Sequence, residues 1–83
     1  MAELARTPRQ IGNRIRRSRR QRGLSQTQLG NLAGLRQETV SLLETGNPAV
    51  RLDTLLTVLG ALDLEFRIVS RSKGAAADIE NIF

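Results

Sequence analysis

The sequence predicts an all-α domain of four short helices, followed by one β-strand that pairs with its own copy across a homodimer. Three observations predict this. Cap residues and glycines divide residues 7–63 into four segments with apolar residues at helical spacing. At Leu64 the apolar period changes from helical to alternating. No second strand is visible elsewhere in the chain for the alternating stretch to pair with.

The first helix opens at Thr7, because Thr7, Pro8 and Gln10 supply an N-cap, a first-turn proline and a reciprocal capping partner. Gly23 closes it. Ile11 and Ile15 mark its inner stripe, and four residues further on that stripe reaches Arg19, where a leucine would be expected. An inward arginine must find an anion. Glu44 falls near the inner face of the third helix, so the two are expected to form a partly buried ion pair.

The second helix starts at the N-cap Ser25, with Gln28 completing a second capping box. It is expected to bury Leu29, Leu32 and Ala33, and Gly34 stops it. The third runs from about Arg36 to Thr45, with Val40 and Leu43 inward and Gly46 as its stop. Asn47, Pro48 and Ala49 read as a loop. The fourth helix, about Leu52 to Leu62, repeats leucine at 52, 55, 56, 59 and 62 and is expected to be the main supplier of the core.

In the predicted strand, Leu64, Phe66 and Ile68 alternate with Glu65 and Arg67, and Val69 and Ser70 extend it. A lone strand leaves its backbone groups unpaired, so antiparallel pairing of two copies about a two-fold axis is the simplest resolution. A fifth helix or an irregular tail are the alternatives. The organisation is thus a flexible N-terminal arm (1–6), a helical domain (7–63), a dimerisation strand (64–71) and a C-terminal tail (72–83). The tail carries Ile79, Ile82 and Phe83 and is expected to be mobile in the isolated protein.

At 83 residues the chain has room for one small core and little for a large catalytic cleft. The absence of cysteine and histidine removes disulfides, thiolate chemistry and the commonest zinc ligands. With no carboxylate pair, activated nucleophile or phosphate-cradling loop in view, neither enzymatic activity nor a cofactor is expected. No apolar run approaches the roughly 20 residues that span a bilayer, and the N-terminus does not resemble a signal peptide. The expectation is a cytoplasmic protein with no membrane partner. Two phenylalanines are the only aromatics, which disfavours binding single strands by base stacking.

Charge points to a partner. Residues 1–36 hold nine arginines against the single acid Glu3, whereas residues 37–83 hold four basic and seven acidic residues. Such asymmetry suits a polyanion at one end of the molecule, with a merely solvated basic helix as the alternative.

Two short helices joined by a glycine-containing turn have the layout of a helix-turn-helix, whose second helix enters the major groove. Gly30 lets the helices approach, Gly34 makes the turn, and Leu29, Leu35, Val40 and Leu43 fill the angle. The outer face of the third helix carries Gln37, Glu38, Ser41, Leu42 and Thr45, with Arg36 at its start. These are the candidate base readers: glutamine suits adenine, glutamate accepts from cytosine N4, arginine suits guanine, and leucine suits a thymine methyl. Candidate phosphate contacts are Gln26 and Thr27 at the amino end of the second helix, Thr39, and the outward Arg16 and Arg20 of the first.

Through "IRRSRRQRGLSQTQLGNLAGLRQETVSLLETG" and "RLDTLLTVLGALDL", residues 7–62 resemble the Xre family of helix-turn-helix domains, which includes phage repressors and Cro. The resemblance implies a lambda-repressor-like fold, a phosphate contact from Gln26, base reading by Arg36, Gln37, Glu38 and Ser41, and a buried pair between Arg19 and Glu44. After residue 63 the stretch "LDLEFRIVSR" is similar to HipB-type antitoxins, in which a strand builds the dimer. That similarity implies a repressor of its own operon that binds double-stranded DNA at a palindromic operator and also binds a HipA-like kinase toxin. A stand-alone transcription regulator and a protein-protein interaction adaptor are the other readings. A membrane-surface helix fits residues 9–22 poorly, because their apolar face offers only Ile11 and Ile15.

Overall fold

The computed structural model describes residues 4–71, which form four helices: α1 (Pro8–Gln21), α2 (Gln26–Ala33), α3 (Gln37–Glu44) and α4 (Leu52–Ala61). Residues 1–3 of the arm and the tail from Ser72 onward lie outside the described residues. None of the described helices is long and apolar enough to cross a membrane.

Caps set the helix boundaries. Thr7 accepts a hydrogen bond from the Gln10 amide at 3.1 Å, and Pro8 occupies the first turn. The Gln10 side chain reaches one residue further back than a capping box requires, accepting from the Arg6 amide at 2.6 Å. Ser25 and Gln28 form the reciprocal box that opens α2. At the other ends, the amide two residues past the cap returns to a carbonyl in the last turn: Leu24 to Arg19, Asn47 to Leu42, and Leu64 to Leu59.

This closure needs a left-handed residue, which Gly23 and Gly46 provide for α1 and α3. After α4 the same position is held by Asp63, at φ 58°. An L residue is strained there, and a carboxylate at a helix carboxyl end also opposes the helix dipole. Asp63→Gly is therefore expected to stabilise the fold by about 0.5–1.5 kcal/mol. Urea unfolding of the two proteins tests this, and an unchanged or lower midpoint counts against it.

α2 and α3 pack on each other, α1 packs on α3, and α4 packs on α2. Ile15, Leu29, Val40, Leu43, Val58 and Leu62 are the buried centre, with Ile11, Leu24, Leu35, Leu55, Leu59 and Leu64 among the residues around them. Three expected core positions are corrected. Leu32 is 63% exposed because it lies a quarter-turn from the face of α2 made by Leu29, Gly30 and Ala33. In α4 the inward set is Leu55, Val58, Leu59 and Leu62, the same i, i+3, i+4, i+7 pattern begun three residues later. That rotation leaves Leu52 and Leu56 exposed, and Val58, which the leucine repeat had hidden, fully buried.

The expected strand is also corrected for the single chain. Leu64, Glu65, Phe66, Arg67, Ile68, Val69 and Ser70 run without regular secondary structure, and no strand occurs among the described residues. The reason is physical: a strand exists through its ladder partner, and the described residues of one copy offer none. Leu64 packs on the core, while Phe66, Ile68 and Val69 stand in solvent.

Candidate nucleic-acid interface

Close backbone approach fixes the angle between α1, α2 and α3. A methyl group at Gly12 would lie 2.5 Å from the carbonyl oxygens of both Leu43 and Glu44, so α1 crosses the end of α3 in direct backbone contact. At Gly30 the same group would lie 2.6 Å from the Leu35 carbonyl, which brings the turn against α2. Sequence reasoning anticipated Gly30 but missed Gly12. Its neighbours Ile11 and Ile15 drew attention to the apolar stripe, and the glycine on the same face was the available signal.

One polar chain then ties the three helices together. Arg19 Nε donates to Glu44 Oε2 at 2.6 Å and Nη2 donates to Oε1 at 3.0 Å, a two-bond fork. Nη1 donates to the Leu24 carbonyl at 2.8 Å, so the guanidinium also holds the α1–α2 turn. Both residues are buried, at 8% and 4% exposure. The hydrogen bonds that Arg19 donates to Glu44 raise its pKa above the ordinary alkaline value, burial works the other way, and the carboxylate charge adds to the rise. A raised pKa stabilises the fold at every pH below the unfolded arginine value, and that contribution fades only as pH climbs through the folded one. Arg19 is a cation under all ordinary conditions.

From Glu44 the chain continues outward. Gln26 Nε2 donates to Glu44 Oε1 at 3.2 Å, and Gln37 Nε2 donates to Gln26 Oε1 at 2.6 Å. Gln37, at the first position of α3, is thereby indexed to the buried ion pair through one intermediate side chain. The spacing of eleven and eighteen residues between these partners has no local signature, so sequence patterning could not reveal it. The Gln26 amide group faces inward to Glu44. At the start of α2 the Ser25 cap is occupied by Gln28, which leaves the backbone amides of Gln26 and Thr27 as the donors available to an anion.

Around this chain the expected base readers share one outward surface. Arg36, Gln37, Glu38, Leu42 and Thr45 are exposed, and Ser41 is half-buried. Gln37 and Ser41 lie on the side of α3 nearest Gln26, whereas Glu38 and Leu42 stand further out. Thr45 is partly withdrawn from the set, because its hydroxyl donates to the Leu42 carbonyl at 3.0 Å and remains only an acceptor. Thr27 is exposed and Thr39 half-buried. Arg16 and Arg20 are exposed on α1, and Arg9 shares their flank, seven and eleven residues earlier. The α-carbon of Arg9 sits so close to Gly46 that this flank adjoins the end of α3. Arg9 is thus a further candidate phosphate contact, legible in retrospect from the i, i+7, i+11 spacing.

Residues 10–66 match the family described as "Helix-turn-helix domain". No curated protein matches the chain. Among solved structures, the chain is similar to a HipB variant in complex with an O2 20mer, at 27% identity, TM-score 0.79, over 87% of this chain and all of that one. A HipB–O4 20mer complex matches at 25% identity and TM-score 0.80, and a HipA–HipB–O2–O3 complex at 25% and 0.79, each over 86% of this chain and all of that one. With a family match over most of its length, and with a fold similar to that of the HipB structures, the chain belongs to the helix-turn-helix domain family as a HipB-type, Xre-like member.

Proposed function

We propose that the protein is a sequence-specific, double-stranded-DNA-binding repressor rather than an enzyme, acting as a homodimer and as the antitoxin of a HipBA-like pair that represses its own operon. The carrying observation is the Arg19–Glu44–Gln26–Gln37 chain. It fixes the first residue of an exposed, hydrogen-bonding helix face against a buried anchor, as base reading in the major groove demands. The similar HipB structures, which are complexes with DNA 20mers and with HipA, support both the DNA and the toxin partner.

Dimerisation follows from the unpaired segment. Leu64 to Ser70 meets the corresponding segment of a second copy as an antiparallel ribbon, and this covers the exposed Phe66 and Ile68, which share one face of the strand. Two α3 helices then address half-sites about 34 Å apart on a palindrome. Arg36, Gln37, Glu38, Ser41, Leu42 and Thr45 face bases; Gln26, Thr27, Thr39, Arg16 and Arg20 face phosphates.

Fluorescence anisotropy on the gene's own upstream region, across a salt series, tests this division. Gln37→Ala is expected to weaken the native duplex selectively and bring it closer to a scrambled one. Arg20→Ala should weaken both duplexes alike and reduce the salt slope by about 1 unit. If the two substitutions act identically on both duplexes, the assignment fails. A monomer by light scattering, with no preference between duplexes, removes the proposal altogether. For the toxin, the measurement is co-purification with the product of an adjacent kinase-like gene; where no such gene or complex exists, the stand-alone regulator remains.

A further inference from the structure

Glu38 and Leu42 are an unexpected pair on a surface meant for a polyanion. Both are exposed, and as residues i and i+4 of α3 they stand side by side, with β-carbons roughly 5–6 Å apart. Leu42 is 47% exposed, although Val40 and Leu43 of the same helix are buried. The Glu38 carboxylate has no ion-pair or hydrogen-bond partner among the described residues, unlike Glu44 and Asp53, which are held by Arg19 and Arg51. A carboxylate brought toward phosphates is repelled unless it receives a donor from the base edges.

Only adenine N6 and cytosine N4 offer donors in the major groove. They differ in what lies beside the donor. Next to adenine N6 is the acceptor N7, which an apolar neighbour would leave without a partner. Next to cytosine N4 is the apolar C5 edge, which an isobutyl group covers without loss. Thymine presents an acceptor, O4, where the carboxylate needs a donor.

Building on the DNA-binding reading above, we propose that Glu38 and Leu42 act as one unit that reads a single cytosine per half-site, and that this unit binds 5-methylcytosine more tightly than cytosine. Glu38 accepts from N4, and Leu42 packs on the C5 position, where methylation adds a buried methyl group. The ligand class is therefore C5-methylated duplex DNA. Burying one methyl corresponds to about a fourfold gain per half-site, and about fifteenfold for a symmetric dimer.

The upstream region is amplified once with dCTP and once with 5-methyl-dCTP, and the dissociation constants of both duplexes are measured for the wild type, Leu42→Ala and Glu38→Ala. The wild type is expected to bind the methylated duplex about fifteenfold more tightly. Leu42→Ala should bind the two duplexes equally, and Glu38→Ala should lose most of the preference together with affinity. Both side chains are exposed, so circular dichroism is expected to show an unchanged fold. Equal or weaker binding of the methylated duplex by the wild type overturns the inference and leaves DNA recognition standing. A gain that persists in Leu42→Ala places the methyl sensitivity elsewhere and overturns it too. Failure to bind either duplex more tightly than a scrambled one overturns DNA recognition, and this inference with it.

Discussion

Replacing Glu44 with alanine will destabilise the protein by roughly 3–5 kcal/mol, because it strands a buried arginine that keeps its charge at any workable pH. In the folded protein the Arg19 guanidinium has Glu44 and the Leu24 carbonyl as partners, and its side chain is 9% exposed. Removal of the carboxylate leaves Nε and Nη2 buried without acceptors. For a domain of this size the whole stability is on the order of 5–10 kcal/mol, so much of the margin disappears. Urea unfolding measures it, and a loss below about 1 kcal/mol would mean that the site admits water or that the pair contributes little.

The double variant Arg19→Met, Glu44→Leu separates anchoring from charge. Filling the site with apolar side chains removes the desolvation cost along with the attraction, so its stability is expected to lie within about 1–2 kcal/mol of the wild type. Gln26, however, loses its acceptor, and Gln37 is left with a partner, Gln26, that Glu44 no longer holds in place. A folded double variant with reduced preference for the native duplex would show that the ion pair serves recognition as well as stability. Full retention of that preference would assign it to stability alone.

Much of this arrangement was legible in the sequence, and the reasons divide by range. Local chemistry carried well: Thr7, Ser25, Gly23, Gly34 and Gly46 mark the helix ends, and the i+4 step from Ile15 to Arg19 predicted an inward cation. The partner at Glu44 also followed, because a buried arginine restricts the choice to the few inward acids. Periodicity failed where leucines were too plentiful. Two overlapping helical registers fit α4, and the choice of Leu55, Val58, Leu59 and Leu62 depends on how the helix leans on α2. The Gln26–Gln37 contact was invisible for a different reason, since neither glutamine breaks any local rule. Leu64 to Ser70 show the limit of one chain: their alternation is a property of the sequence, but a ladder needs a second backbone.

Gly46→Ala is the second large expected loss, about 2–5 kcal/mol, and its size rests on two costs acting together. The residue has φ 81°, which costs a residue with a β-carbon about 1–2 kcal/mol. The added methyl would also lie 2.5 Å from the Arg9 α-carbon and 2.7 Å from its amide nitrogen, contacts with backbone that cannot rotate away. Overpacking of that kind adds about 1–3 kcal/mol. Gly23 and Gly34 supply the internal control, since both have positive φ and neither has an atom within 4 Å of the added methyl. Gly23→Ala and Gly34→Ala should therefore cost only the backbone part, about 1–2 kcal/mol each. Equal losses at all three positions would show that α1 can shift away from the end of α3. Because Arg9, Arg16 and Arg20 lie on the flank of α1 that adjoins that end, such a shift would also move the basic stripe relative to α3. Gly46→Ala should then alter the salt slope of DNA binding, whereas Gly23→Ala should leave it unchanged.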